Sequence, residues 1–235
     1  EEKGLLPDGE TASPASRTDL ERPSAADANS GEVDFTVREA LKSGAFWTYA
    51  MAMMLRACIL SGLVVHQIPY LVDMDIDYVA AAGVLGTMVL MSVPGRIVLG
   101  WIGDIFDKRY LLCAVCLIQA VGIWIFINAT NLGMVYLFVV VFGLAYGGAV
   151  PLTLGLRADL FGRKIFATIG GIIVAMTSVT TVAAPVLLGY LYDVSQSYRV
   201  GFYTLLVLVS LSGFAFLLVR KPRPPARLTG AGGGR

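Results

Sequence analysis

Hydrophobic residues dominate the chain from Phe46 to Val219, in six long runs separated by short polar links. Each run is close to the ~20 residues that a helix needs to cross the hydrocarbon core of a bilayer. We therefore predict six membrane-spanning helices, near Phe46–Leu71, Tyr78–Gly103, Tyr110–Asn128, Leu132–Leu156, Ile165–Leu191 and Tyr198–Val219. Because the links are short, consecutive helices are expected to run antiparallel. The pattern predicts an all-α membrane protein.

The remaining segments have a different composition. Residues 1–33 are rich in Pro, Ser and acidic residues and are expected to form a disordered cytoplasmic linker. Residues 34–44 contain Thr36 and, three positions later, Glu39, which is the pattern of a capping box. We predict a short amphipathic helix on the membrane surface there, a six-helix unit over 45–220 and a disordered cytoplasmic tail over 221–235.

Composition strengthens the membrane assignment. The 235 residues are 56% hydrophobic and 15% charged, whereas soluble domains carry about 25% charged residues. The net charge is +1, and the charged residues are concentrated in loops and termini. This distribution does not imply a nucleic-acid partner. Cys113 and Cys116 form a C-x-x-C pair inside an apolar run, but no second ligand pair accompanies them. We interpret them as packing residues and expect no metal or cofactor.

Charge also predicts the orientation. Basic residues precede the first span and follow the second, fourth and sixth, whereas the opposite links carry mainly aspartates. Basic residues prefer the cytoplasmic side, so we expect both termini in the cytoplasm and place the protein in the plasma membrane. The chain starts with Glu1-Glu2-Lys3 and shows no signal peptide, which suggests a piece of a longer protein.

Four polar residues inside the predicted spans are candidate substrate ligands. Arg96 lies within the second span, where a charge costs several kcal/mol unless it meets water or a partner. Arg56 and Gln67 share one face of the first span at about 100° per residue, and His66 is adjacent to Gln67. Three of them have a structural alternative: Arg56 can bond loop carbonyls or snorkel, Arg96 can serve packing, and His66 can be a hydrogen-bonded structural histidine.

Proline positions suggest which spans surround a cavity. Pro69, Pro94, Pro151 and Pro185 fall in the first, second, fourth and fifth spans. Broken helices often border transport cavities. We therefore expect these four helices to be interrupted and to line a cavity, with the third and sixth as outer supports. Gly143-x-x-x-Gly147 in the fourth span predicts close helix packing.

The link after the second span resembles the signature loop of major facilitator superfamily transporters. Gly100-x-x-x-Asp104 followed by Lys108-Arg109 matches that pattern, although Ile105 and Asp107 replace a basic residue and a glycine. The resemblance implies that Gly100, Asp104, Lys108, Arg109 and Arg163 form a cytoplasmic gate. Asp104 is expected to pair with Arg163 or Lys164 at the head of the fifth span. It also implies a 3+3 inverted repeat that forms half of a twelve-helix fold, with an N-terminal six-helix half as partner.

Further segments resemble the branch that holds monocarboxylate transporters and oxalate/formate antiporters. They are Thr36–Leu41, His66–Leu71, Tyr146–Gly148 and Asp159–Arg163. In that branch an arginine followed four residues later by glycine meets the substrate carboxylate, and Arg96 with Gly100 fits this spacing. An aspartate four residues before the arginine is replaced by Ser92, and the fifth span lacks the lysine of oxalate antiporters.

The resemblance implies secondary transport of a small organic anion, with protons or a counter-anion as coupled species. Arg96 would clamp the carboxylate, with Arg56 as a second positive wall, because guanidinium binds planar carboxylates through two parallel bonds. An intramembrane rhomboid-type protease is disfavoured because the sequence lacks a Gly-x-Ser-Gly setting, and a mitochondrial-type carrier because it lacks a ~100-residue repeat. A transporter of another solute, and a non-transporting sensor or scaffold with the same fold, remain alternatives. The expectation is a non-enzymatic protein.

Overall fold

A computed structural model of the chain describes residues 35–222, which form seven α-helices. The helices are α1 (Val37–Lys42), α2 (Gly44–Asp73), α3 (Tyr78–Ile105), α4 (Lys108–Ile127), α5 (Leu132–Phe161), α6 (Phe166–Ser195) and α7 (Tyr198–Leu218). Helices α2 to α7 are long and apolar enough to cross a membrane, which confirms the six predicted spans. The linker predicted over 1–33 and nearly all of the predicted tail lie outside the described residues.

Helix α1 begins with the predicted capping box. The Thr36 hydroxyl accepts a hydrogen bond from the Glu39 amide at 3.4 Å, and the Thr36 amide donates to Glu39 Oε2 at 2.8 Å. The two bonds satisfy amides that the first turn of a helix leaves without partners. Ser43 then separates α1 from α2 and caps α2 by accepting from the Phe46 amide at 3.2 Å. The position of α1 on a membrane surface stays a prediction.

The helix contacts have an internal symmetry. Helix α3 packs on α5 just as α6 packs on α2, and α4 packs on α5 just as α7 packs on α2. Helices α4 and α7 pack on each other. If α2, α3 and α4 are exchanged for α5, α6 and α7, the two contacts of each pair replace one another, and the contact between α4 and α7 maps onto itself. This arrangement is consistent with the 3+3 repeat expected of half a major facilitator fold.

Glycines let α3 and α5 approach closely. A Cβ on Gly147 would collide with the Ser92 backbone carbonyl, and a Cβ on Gly95 would collide with that of Leu144. A Cβ on Gly143 would lie 2.9 Å from the Met88 carbonyl oxygen. Backbone approach at small residues is a main source of helix association in lipid. The close packing predicted from Gly143-x-x-x-Gly147 is confirmed.

The prolines do not interrupt their helices, so this part of the sequence prediction was wrong. Pro69, Pro94, Pro151 and Pro185 each lie inside a continuous helix. Pro185 has no amide hydrogen to donate to the Thr181 carbonyl one turn earlier. The Ser61 hydroxyl of α2 donates to that carbonyl at 2.6 Å. A neighbouring helix thus supplies the lost hydrogen bond, and α6 continues unbroken.

Two spanning helices are much less covered than the others. Within their most apolar windows, 22% of α3 and 17% of α6 is buried, against 50% of α4 and 56% of α5. The exposed faces carry large apolar side chains, among them Ile97, Trp101, Val182 and Val186. Most of the surface of α3 and α6 therefore faces away from the other described helices.

Candidate functional site

Arg96 lies on the weakly covered side of α3. Its side chain is exposed, and it forms no hydrogen bond or ion pair with the rest of the described chain. At 100° per residue it lies about 40° from Ser92, which is buried against α5, so it borders the packed stripe of the helix. The Ser92 hydroxyl donates to Val89 of its own helix at 2.6 Å. Arg96 therefore presents a whole guanidinium group at the edge of the helix bundle.

Arg56 has the opposite environment. It is 5% exposed, and its Nη1 donates to Oε1 of Gln119 on α4 at 3.3 Å. Tyr49, Cys116 and Tyr146 lie near enough to interact with it electrostatically. The structure therefore places Arg56 inside the bundle, away from the surface that bears Arg96.

Gln67 and His66 also lie against neighbouring helices of the bundle. Gln67 is fully buried, and neither atom of its amide has a hydrogen-bond partner in the described part of the chain. His66 is half-buried, with Nε2 3.0 Å from the carbonyl oxygen of Pro185 on α6. Its ring also lies 5.9 Å from the ring of Tyr198. The structure thus separates the four candidate ligands: Arg96 is open, and the other three contact or face neighbouring helices.

The signature loop ties helix ends together within this six-helix unit. Lys108 Nζ lies 2.9 Å from Asp159 Oδ2 near the end of α5, and its stem crosses Gly155. Arg109 Nη1 donates to the Val219 carbonyl after α7 at 3.0 Å, and its Nη2 lies 2.6 Å from Asp107 Oδ2. The hydrogen bonds that the Arg109 side chain donates to the Asp107 carboxylate hold the pKa of that carboxyl below its usual value. The predicted gate residues Lys108 and Arg109 therefore connect α4 to α5 and α7.

Asp104 does not form the expected ion pair. It is exposed at the end of α3 and has no hydrogen-bond or ion-pair partner within residues 35–222. Lys108 of the loop meets Asp159 instead, because α5 extends past its apolar run to Phe161 and brings Asp159 beside Lys108. Gly100 lies against Pro151 of α5, and Arg163 lies in the turn between α5 and α6.

Two partners of the candidate residues were not selected from the sequence. Gln119 is an amide within an otherwise apolar span, 63 positions from Arg56, and a buried amide in such a span is itself a signal of a polar contact. Asp159 was noticed only as part of a family-like segment. The sequence signal for the pair of Asp159 with Lys108 was a negative charge at the end of the bundle where the links are basic.

Comparison with known proteins decides the family. A model of the Major Facilitator Superfamily matches residues 5–173 and, in a second overlapping match, residues 82–235. The chain belongs to the major facilitator superfamily. With six helices of membrane-spanning length and composition, this superfamily member is an integral membrane protein.

Two similar proteins are monocarboxylate transporters by name. Monocarboxylate transporter 7 of Homo sapiens is 26% identical over 192 residues, covering 80% of this chain and 36% of that protein. Monocarboxylate transporter 12-B of Danio rerio is 24% identical over 157 residues, covering 65% of this chain and 31% of that protein. The chain thus spans about a third of the length of the curated relatives that it matches. This superfamily member resembles the monocarboxylate transporter branch.

Proposed function

We propose that this chain forms the C-terminal half of a secondary transporter for a small organic anion, a monocarboxylate or a related acid. Membership of the superfamily and the names of the two relatives support transport. The observation that carries the proposal is Arg96, an exposed guanidinium group without a partner in residues 35–222, within a membrane-spanning helix. A charge at that depth is costly in lipid.

Arg96 acts as the carboxylate clamp in this proposal. A guanidinium group offers two parallel N–H donors that match the two oxygens of a carboxylate. Arg56 and His66 join the helices that surround the site, since both are hydrogen-bonded to neighbouring helices, and Gln67 is buried between helices with neither amide atom bonded in residues 35–222. Substrate contact is thereby assigned to α3.

A second six-helix half covers the open faces of α3 and α6 in the assembled transporter. These two helices have the smallest buried shares, so apposition of another half would enclose Arg96 between the halves. Rocking of the halves would then expose the site to each side in turn. Asp104, exposed and without an ion pair in residues 35–222, is available to that second half as part of the gate.

The orientation is part of the same proposal. Basic residues lie at the end of the bundle that holds α1 and the links after α3, α5 and α7, namely Arg38, Lys42, Lys108, Arg109, Arg163, Lys164, Arg220 and Lys221. The opposite end carries four aspartates, Asp73, Asp75, Asp77 and Asp193, and one basic residue, Arg199. The positive-inside preference supports a cytoplasmic position for both termini. We place the protein in the plasma membrane as part of this proposal. Protons or a counter-anion would be the coupled species.

Uptake by the full-length protein in membrane vesicles tests the clamp. Arg96→Ala is expected to lower uptake of a radiolabelled monocarboxylate such as lactate by roughly a hundredfold, because two charge-assisted bonds are lost. Arg96→Lys keeps the charge and loses the paired donors, so it should retain part of the uptake. Uptake is normalised to the amount of protein in the membrane. Unchanged uptake by Arg96→Ala would remove the clamp from the account.

A further inference from the structure

A groove of about 630 Å³ lies where α1, the start of α2 and the end of α7 meet. Its apolar lining includes Phe35, Ala45 and Leu218, and its charged lining comprises Lys42, Arg220, Lys221 and Glu39. Three basic side chains thus face one carboxylate. The groove has an apolar part and a cationic part.

The basic side chains of the groove are accessible, and two of them have no anionic partner. Lys42 and Arg220 are exposed, and neither forms a hydrogen bond or ion pair that involves residues 35–222. Lys221 is exposed and interacts with Asp107 only through longer-range electrostatics. Glu39 Oε2 accepts from the amide and the hydroxyl of Thr36, so the capping box of α1 engages that carboxylate. The groove therefore has unused donors for an anion.

The groove lies at one end of the bundle of membrane-length helices. It is bounded by the first residues of one spanning helix, Gly44 and Ala45, and by the last residue of another, Leu218. The ends of spanning helices lie at the level of the lipid headgroups. Leu218 is 67% exposed, so an apolar surface continues from the groove along α7. A ligand here can place a charged group in the groove and hydrocarbon beside α7.

We propose that this groove binds the phosphate-bearing headgroup of an anionic phospholipid. Lys42, Arg220 and Lys221 donate to the phosphate oxygens, and the acyl chains lie along the exposed side of Leu218. Basic pockets next to the ends of spanning helices attract anionic lipids by this combination of charge and depth. The bound lipid connects α1 to the end of α7. The site is independent of the proposed substrate site on α3.

The test uses the full-length protein in an uncharged detergent, with native mass spectrometry to count bound lipid during a titration. Dioctanoyl phosphatidylglycerol is the probe, and dioctanoyl phosphatidylcholine, a zwitterion with no net charge, is the comparison. The double variant Lys42→Gln/Arg220→Gln should weaken phosphatidylglycerol binding about tenfold or more. Arg38→Gln/Lys164→Gln removes two other exposed bases from the same end of the bundle and should change that affinity less than about twofold.

A double variant that preserves the charge separates a specific loss of lipid binding from a general loss of fold. Lys42→Arg/Arg220→Lys should lose much less phosphatidylglycerol affinity than Lys42→Gln/Arg220→Gln, because the groove keeps one ammonium group and one guanidinium group at these two positions, and its full positive charge. Equal loss of affinity in the two Gln double variants would overturn the proposal in favour of diffuse attraction. Equal binding of phosphatidylcholine would also overturn it. Competition by glycerol 3-phosphate at equal concentration would show a site for a soluble anion instead of a lipid.

Discussion

Helices α2 and α3 each carry an arginine within the membrane, and they place it in opposite environments. Arg56 of α2 is 5% exposed and bonded to Gln119, and two further polar residues of the same helix, Ser61 and His66, contact backbone carbonyls of α6. Arg96 of α3 is exposed and has no partner in residues 35–222. The difference teaches that a charged residue in a span has no fixed role: α2 uses polar groups to join helices, whereas α3 leaves its arginine available.

The covered surface of each helix explains this difference. Helix α2 packs on both α6 and α7, so its polar side chains meet neighbours on more than one side. Helix α3 packs mainly on α5 through a stripe of small or buried residues, including Ser92 and Gly95, and most of its remaining surface is open. Polar changes on α2 should therefore lower stability, and the change on α3 should lower transport.

The largest effect on stability is expected from Gln119→Leu. It removes the neutral amide acceptor of Arg56 and leaves a buried guanidinium group without that hydrogen bond, which typically costs about 1.5–3 kcal/mol. Adding Arg56→Met should recover most of that loss, because the charge is then absent as well. Gln119→Glu is the matched control and should keep the fold, since it gives Arg56 a carboxylate.

Unfolding of the full-length protein in mixed micelles measures these free energies. Additive losses in Gln119→Leu/Arg56→Met would contradict the pairing, as would wild-type stability in Gln119→Leu.

A smaller effect is expected from Ser61→Ala. The hydroxyl satisfies the Thr181 carbonyl that Pro185 leaves without a donor, so its loss should cost about 1 kcal/mol. In a Pro185→Ala background, the amide of residue 185 can bond that carbonyl, and the same change should cost less. Thr204→Ala is the control, because this hydroxyl bonds only the Val200 carbonyl of its own helix at 3.0 Å.

The unfolding free energy of each variant checks the coupling between Ser61 and Pro185. If Ser61→Ala costs the same in both backgrounds, the hydroxyl does not replace the hydrogen bond that the proline removes.

The smallest effect is expected from Asp107→Asn at the signature loop. Arg109 holds the pKa of the Asp107 carboxyl below its usual value, so the ion pair stabilises the fold above the usual carboxyl range. That contribution should disappear as the pH falls through the lowered pKa of the folded state. Asp104→Asn is the matched control, because Asp104 has no ion pair in the described residues.

Melting temperatures from pH 7 to pH 3 measure this contribution. The difference between wild type and Asp107→Asn should be small at pH 7 and should shrink with acidification. A difference that grows with acidification would contradict the ion pair.

The spans could be predicted from the sequence because lipid demands long apolar helices, but their ends were less predictable. Helix α5 continues five residues beyond the predicted Leu156. Hydropathy falls at Arg157, where the charged segment begins, yet the backbone remains helical there. The Arg157 guanidinium group stacks over the Phe166 ring, 3.9 Å from its centroid. The helix ends at Phe161, and its C-cap residue Gly162 has a φ of 74°, which favours glycine. Composition marks the membrane boundary, and backbone geometry marks the helix boundary.

The candidate site was only partly predictable, because helical periodicity does not show which neighbour covers a face. Arg56 and Gln67 share a face of α2. Because the helix is apolar on its other faces too, the sequence did not show which face packs against neighbouring helices. The decisive partner, Gln119, lies 63 residues away, and its position depends on the tertiary packing of α2 against the bundle. Arg96 was selected by its charge within a span and by its family-like spacing to Gly100, and its exposure became visible only with the fold.

Chemical accessibility of residue 96 tests most directly whether α3 presents this position to water. Arg96→Cys is made in full-length protein in which Cys58, Cys113 and Cys116 are replaced by alanine, and membrane vesicles are treated with a charged, water-soluble methanethiosulfonate. The account predicts rapid labelling at position 96 by the charged reagent, because this side of α3 is exposed and would border a water-filled site. Labelling only by a lipid-soluble maleimide, with no reaction with the charged reagent, would contradict the account.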